Sequence, residues 1–311
     1  MNRRRFFETT FAALPGAARP LTGQALAQDA PSWGGPVLDI HLHPRKQAES
    51  TFAHLEGSGV TKAVLLTNIS AEESAKAAME KYPGRFVRFT SADATKPDAA
   101  DILRKSLNGG AIGMGELKSH VRIDGPEMRR IFELAAELEV PVLIHFQDVP
   151  QFPGEGTYNT PIQGLPAILK AHPKTTFIGH ADAFWANISA EVPGDVSYPA
   201  GRIKAGGLTD RMLADHANLY GDVSANSGRN ALARDVEFIA EFLARHRNKL
   251  MFGCDCSCRD GRGTGQASQQ PLIKGKCVAR ETLTALKQLA PPEAFRKITW
   301  ENGMRLLKIK A

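Results

Sequence analysis

Eight times between residues 37 and 256 the chain enters a short apolar run and leaves it through a polar loop. The runs lie at 37–43, 62–68, 85–92, 111–118, 141–146, 175–181, 218–225 and 249–256. Most are continuous stretches of leucine and β-branched residues, as expected of parallel strands covered on both faces. Segments of helical spacing separate them. One over 71–82 stops at Pro83-Gly84; another opens at Pro126 and sets Met128, Ile131, Phe132, Leu134, Ala135 and Leu138 on one stripe. Further helices are expected over 98–107, 164–171, 208–215, 230–245, 278–289 and 292–307. This alternation, repeated eight times without a reversal, predicts one α/β domain, a (β/α)8 TIM barrel, for which about 250 residues suffice. An open doubly wound sheet is the alternative. No Gly-x-Gly-x-x-Gly follows the first run, which counts against a dinucleotide-binding version.

The residues that end these runs carry the chemistry. His41 and His43 close the first, and their i, i+2 spacing puts both imidazoles on one face of a strand. His145 ends the fifth run, His180 the sixth and Asp255 the eighth. All would project at the C-terminal rim, where barrel active sites lie. Together they form a site for a divalent metal, and Glu116, ending the fourth run, is a further candidate ligand. Lys118 shares its face, and His120 follows just beyond. The loops over 147–161, 182–207 and 257–275 are long and open from the same rim. They bring candidate substrate contacts: Trp185 as an aromatic wall, and Arg229, Arg259 and Arg262, joined by Arg45, as forks for a carboxylate or phosphate. Asp148 and Asp182 are candidate orienters of the metal imidazoles. His54, His172, His216 and His246 fall in helices or at their ends, where surface or capping roles are expected.

The order His-x-His, His, His, Asp on strands one, five, six and eight resembles the amidohydrolase superfamily. Among its branches it is most similar to the amidohydrolase-related group that includes aminocarboxymuconate semialdehyde decarboxylase. Phe252-Gly253-Cys254-Asp255 and the closing 301–307 segment are similar to that group's last strand and final helix. The resemblance implies that His41, His43 and His145 ligate metal and that Asp255 is both ligand and proton carrier. It makes His180 a second ligand or an electrostatic catalyst, and Glu116 the bridge of a two-metal centre. Zinc is the expected ion, one or two per chain, with manganese or iron as alternatives. The implied activity is hydrolysis, with a metal-activated water attacking an amide, ester or lactone carbonyl. The alternative is a lyase: non-oxidative decarboxylation of a small carboxylate, aromatic ones included, at the same site.

The formal charge of +6 does not point to nucleic acid. Half of it sits in residues 1–27, where Arg3, Arg4, Arg5 and Arg19 face one acid, Glu8, and no basic-aromatic run occurs elsewhere. The expected partner is a small-molecule substrate, with homo-oligomerisation possible on any free face. Asn2-Arg3-Arg4-Arg5-Phe6-Phe7 resembles a twin-arginine export motif, and Ala25-Leu26-Ala27 fits a signal-peptidase site. Residues 1–27 are therefore expected to be a signal peptide, 28–36 a linker and 37–311 the hydrolase domain of an exported, periplasmic protein. No run of 18 apolar residues offers a membrane span. An oxidising compartment permits disulfides, and Cys256 or Cys258 with Cys277 is the expected pair. A separate Cys-rich metal site is disfavoured because Cys254-x-Cys256-x-Cys258 lacks a Cys-x2-Cys knuckle. If the export reading holds, replacing Arg3 and Arg4 by Lys traps precursor in the cytoplasm; export of the variant at the normal rate contradicts it.

Overall fold

The computed structural model describes residues 30–310, so the expected signal peptide lies outside the described residues. Its first half runs β1 (Leu38–Leu42), α1 (Ala48–Ser58), β2 (Lys62–Asn68), α2 (Glu72–Lys81), β3 (Phe86–Ser91), α3 (Ala99–Asn108), β4 (Met114–Leu117) and α4 (Pro126–Glu137). Then come β5 (Val142–His145), α5 (Leu165–Ala171), β6 (Phe177–His180), α6 (Ala181–Ala186), α7 (Leu208–Asp215) and β7 (Leu219–Val223). The chain ends with α8 (Ala225–Arg234), α9 (Val236–Arg245), β8 (Leu250–Phe252), α10 (Val278–Leu289), α11 (Pro292–Arg296) and α12 (Asn302–Leu306). The eight strands form one parallel sheet in the order β1 to β8. This is the expected (β/α)8 barrel. No helix among the described residues is long and apolar enough to cross a membrane.

Alternation along the strands sorts side chains into two buried layers. Leu38, Ile40, Val64, Leu66, Phe89, Leu143, Ile178 and Met251 form the barrel interior, closed below by Leu307 with Trp300 and Met304. The larger layer, with Phe132, Phe177, Leu219 and Phe252, lies between sheet and helices. At about 1.5–3 kcal/mol per buried large side chain, these layers dominate the stability of the scaffold. Above the interior plug, period two continues on β5 and β6: Leu143 is followed inward by His145, and Ile178 by His180. Strand β1 departs from regular alternation. Its pairing with β2 shifts register between Asp39 and Leu42, which turns His41 to the same side as Ile40.

Two expected helices are broken. The segment 230–245 divides at Asp235, whose extended backbone (φ −152°) interrupts the turn while its side chain caps Phe238 N. The last helix over 292–307 is interrupted by a π turn over Lys297–Glu301. Several strands end earlier than the apolar runs do. Ala181 (φ 78°), directly after β6, and Ala225 (φ 59°), two residues after β7, adopt left-handed backbone, as does Asp255 (φ 45°) three residues after β8. Non-glycine residues held in this region cost about 1–3 kcal/mol each and concentrate at functional sites.

The seam between β8 and β1 rests on Asp39. The main-chain N–H of Asp255 donates to His41 O at 2.7 Å. Beside it, Asp39 Oδ1 accepts from the N–H of His41 and of Cys254, both at 2.9 Å. Burial pushes the Asp39 carboxyl up to about 7. The folded chain therefore holds a proton that the unfolded chain releases near pH 4. Stability from this group is complete below that pH and is lost progressively as pH rises to 7. Asp39→Asn keeps the acceptor oxygen and never ionises. Its unfolding free energy should gain on the parent by at most about 1.4 kcal/mol per pH unit between pH 5 and 7, then level off. A difference that does not vary with pH in denaturant titrations contradicts this.

Candidate metal centre

The strand ends bring four imidazoles and two carboxylates together around Glu116. His43 Nε2 lies 3.4 Å and His41 Nε2 3.7 Å from Glu116 Oε2. Glu116 Oε1 faces His145 Nδ1 at 2.5 Å and His180 Nε2 at 3.3 Å. Asp255 Oδ1 completes the first half, 3.5 Å from His43 Nε2 and 3.8 Å from His41 Nε2. Glu116 thus divides the cluster: His41, His43 and Asp255 lie about one oxygen, His145 and His180 about the other. Histidine and carboxylate donors at this spacing suit divalent zinc, manganese or iron. The fit shows in the atoms left over. His41 Nε2 is buried without a hydrogen-bond partner, and Glu116 Oε2 accepts no hydrogen bond, although Lys118 Nζ stands 3.1 Å away as an ion-pair partner. Buried polar atoms are rarely left so.

Each imidazole has its outer nitrogen occupied, so the inner one can present a lone pair. His41 Nδ1 meets Asp222 Oδ2 at 2.6 Å, and His43 Nδ1 meets Leu66 O at 3.2 Å. His180 Nδ1 lies 2.8 Å from Ser224 Oγ, and that hydroxyl in turn donates to Asp222 Oδ2 at 2.7 Å. His145 Nε2 meets Gln147 Oε1 at 3.1 Å. Asp222 and Ser224 are the orienting residues that the sequence reading missed. The signal was present: Gly221-Asp222-Val223-Ser224 places two polar side chains i, i+2 at the end of an apolar strand. Asp148 and Asp182 do not take this role. Both line a separate cavity of about 340 Å³ against Pro161 and Ser197, and Asp182 is pushed up to about 6 by burial. Gly253 lets β8 approach this shell, since a Cβ there would lie 2.4 Å from Asp222 Oδ1.

The carboxylates of the site are held ionised. Burial opposes the charge on Glu116, but Lys118 and His145 outweigh it and hold the carboxyl well below the ordinary range. Asp255 is likewise held low against burial, by His41, His43 and Lys118. Asp222, fully buried, is held at about 2 by His41 and His180. These carboxylates in turn raise the pKa of His41 and His180, so the cluster binds protons that a divalent cation can replace.

The predicted substrate contacts divide. His43, Glu116, Lys118 and His120 line a cavity of about 630 Å³ with Asn68, Asp93 and Ser119. Tyr198, brought in by the loop after α6, joins the field of Asp255 and Lys118; burial and Asp182 raise its hydroxyl to about 12, so it stays protonated. Its loop carried no sequence signal for this. The other candidates point elsewhere. Trp185 is buried and donates Nε1–H to Asp222 O at 2.9 Å, making it a strut behind the site. The Arg45 guanidinium is taken up by the carbonyls of His43, Cys256 and Cys258. Arg229 is half-buried on α8 toward Glu281, Arg259 is exposed beside Gly265, and Arg262 sits half-buried in the same loop. None of the four arginines lines the 630 Å³ cavity.

Two cysteine and histidine expectations are also corrected. All four cysteines are free thiols, so neither Cys256 nor Cys258 is bonded to Cys277. His54 is not a surface residue: it is buried, with Nδ1 3.5 Å from Cys258 Sγ.

Asp222→Asn keeps the shape of the group behind His41 and His180 but removes its charge. Metal affinity should fall about 10–100-fold, measured by competition with a chromophoric chelator. Unchanged affinity contradicts the orienting role.

No protein-family model and no curated protein sequence matches the chain. Solved structures do. A probable 2-pyrone-4,6-dicarboxylic acid hydrolase from Acinetobacter baumannii is similar at 14% identity, with 88% of this chain and 100% of that one covered and a TM-score of 0.56. Dihydroorotase from Campylobacter jejuni is similar at 15% identity, 89% and 84% coverage and a TM-score of 0.53. A 5-carboxyvanillate decarboxylase from Sphingomonas paucimobilis is similar at 13% identity, 83% and 82% coverage and a TM-score of 0.52. The chain shares with all three the (β/α)8 barrel fold.

Proposed function

We propose that the chain is a metal-dependent hydrolase of the amidohydrolase superfamily, acting on an amide, ester or lactone carbonyl of a small anionic substrate. The observation that carries this reading is Glu116, buried between two groups of imidazoles with each oxygen turned to one of them. That arrangement suits a carboxylate bridging two divalent ions, most simply zinc, with His41, His43 and Asp255 on one and His145 and His180 on the other. Such ions supply Lewis acidity to a carbonyl and bring the pKa of water to about 7.

The side chains do the rest. Asp255 is ionised, and its side chain is 24% exposed at the mouth of the cluster. It is placed to accept a proton from the attacking water and return it to the leaving group, so one carboxylate serves as base and then acid. His180, its Nδ1 held by Ser224, keeps Nε2 turned to the cluster as a ligand nitrogen. Lys118 is held cationic by Glu116 and Asp255 against the cost of its burial. With Asn68, Ser119 and His120 it offers a carboxylate-binding wall to the cavity. Two of the similar structures bear names with carboxylated substrates, which agrees with that wall.

The decarboxylase among them supports non-oxidative decarboxylation as the second reading. Lys118 would then hold the carboxylate that leaves. We also propose export through residues 1–27, on the twin-arginine motif alone.

Glu116→Gln tests the bridge. It should cost about one ion per chain and about 10²-fold in hydrolysis of ester, lactone or amide carboxylates, with fold retained. Full metal content and activity in the variant contradict the bridging role. Carbon dioxide release from an aromatic carboxylate, without hydrolysis of any carbonyl, would select the second reading.

A further inference from the structure

A second cluster of ligand-type side chains lies behind the rim, apart from Glu116. His54 comes from α1, Cys256 and Cys258 from the segment after β8, and Cys277 from the residue before α10. All four are buried, and their donor atoms lie within 4.8 Å of one another. Cys256 Sγ is 3.3 Å from Cys258 Sγ and 3.8 Å from Cys277 Sγ, and Cys258 Sγ is 3.5 Å from His54 Nδ1. A tetrahedral zinc with bonds of about 2.3 Å to sulfur and about 2.0 Å to nitrogen sets sulfur–sulfur edges near ~3.8 Å and sulfur–nitrogen edges near ~3.5 Å. We propose that His54, Cys256, Cys258 and Cys277 bind one zinc-class divalent ion in a closed, structural Cys3His site.

Three features of the surroundings support this. The outer nitrogen of His54 is engaged: Nε2 lies 3.7 Å from Cys254 Sγ, which leaves Nδ1 for the ion. Arg45 draws the carbonyls of Cys256 and Cys258 to its guanidinium, and its positive charge offsets the net negative charge of three thiolates on a divalent ion. Glycines let the three segments meet. A Cβ at Gly57 would lie 1.8 Å from Asp260 O, at Gly261 2.3 Å from His54 O, and at Gly263 2.7 Å from Gly275 O. The backbone is thus built for close approach of the helix and loops that bear the ligands.

Competing occupants fit less well. One disulfide would join two of the three sulfurs and leave a buried thiol and imidazole facing it. An iron–sulfur cubane places each thiolate on a different iron, farther apart than these sulfurs stand. Cys-x-Cys spacing puts both sulfurs on one face of an extended segment, doing what Cys-x2-Cys does in a knuckle turn. The ion would fasten the segment holding Asp255, which stands between Cys254 and Cys256.

The test is cobalt substitution of the full chain, purified under reducing conditions. A near-ultraviolet thiolate-to-cobalt charge-transfer band is expected in the parent and undiminished in His41→Ala, because the Glu116 centre contains no thiolate. Cys277→Ser should lower the band by about a third if the ion remains, or abolish it. His54→Cys should raise it by about a third, since the intensity follows the number of thiolates; this gain is readable even if the serine variant fails to fold. Absence of the band in the parent, an unchanged band in His54→Cys, or a Cys256–Cys277 or Cys258–Cys277 disulfide in the mass spectrum of protein isolated without reductant would overturn the assignment.

Discussion

The buried Glu116 carboxylate, set among four imidazoles and a lysine, is the interaction on which the rest of this molecule depends. An ionised carboxylate in a protein interior is costly unless surrounding charges compensate it. Here the compensation comes from side chains on four different strand ends, so the charge is stable only when the barrel has closed. The barrel in turn needs the seam in which Asp39 stands in for a main-chain acceptor between β1 and Cys254. Fold and site are one electrostatic problem: the parallel sheet gathers the groups, and the groups bind the strand ends together.

The rim is organised in shells. His41, His43, His145 and His180 look inward, and Asp222, Ser224, Leu66 and Gln147 take their outer nitrogens. Behind Asp222 stand Trp185, bonded to its carbonyl, and Gly253, which leaves room for its carboxylate. On the β8 side, Asp255 is held in left-handed backbone between Cys254 and Cys256. An ion in the proposed Cys3His site would anchor the segment that leaves it, so that strain at Asp255 would be opposed by a crosslink a few residues on.

Much of this was legible in the sequence because period two is a local rule. His145 and His180 sit at the ends of apolar runs, and the same rule that buries Leu143 and Ile178 sends them to the rim. His41 and His43 obey the rule only after a register shift that no local pattern announces. Asp222 and Ser224 carry the same i, i+2 signature, but aspartate and serine at a strand end also fit the start of a turn. The arginines differ for another reason. A loop arginine's partner is set by tertiary neighbours, as when Arg45 turns to the Cys256 and Cys258 carbonyls. The cysteines show the same limit: His54 lies about 200 residues before its sulfur partners, and nothing local links them.

Anomalous diffraction at the zinc absorption edge from crystals of the zinc-loaded protein tests most directly whether Glu116 bridges two ions. Two anomalous peaks are predicted between the strand ends, roughly 3.5–4 Å apart, with one Glu116 oxygen directed to each. A single peak bound by His41 and His43 with Glu116 turned away, or no peak among these residues, would contradict it.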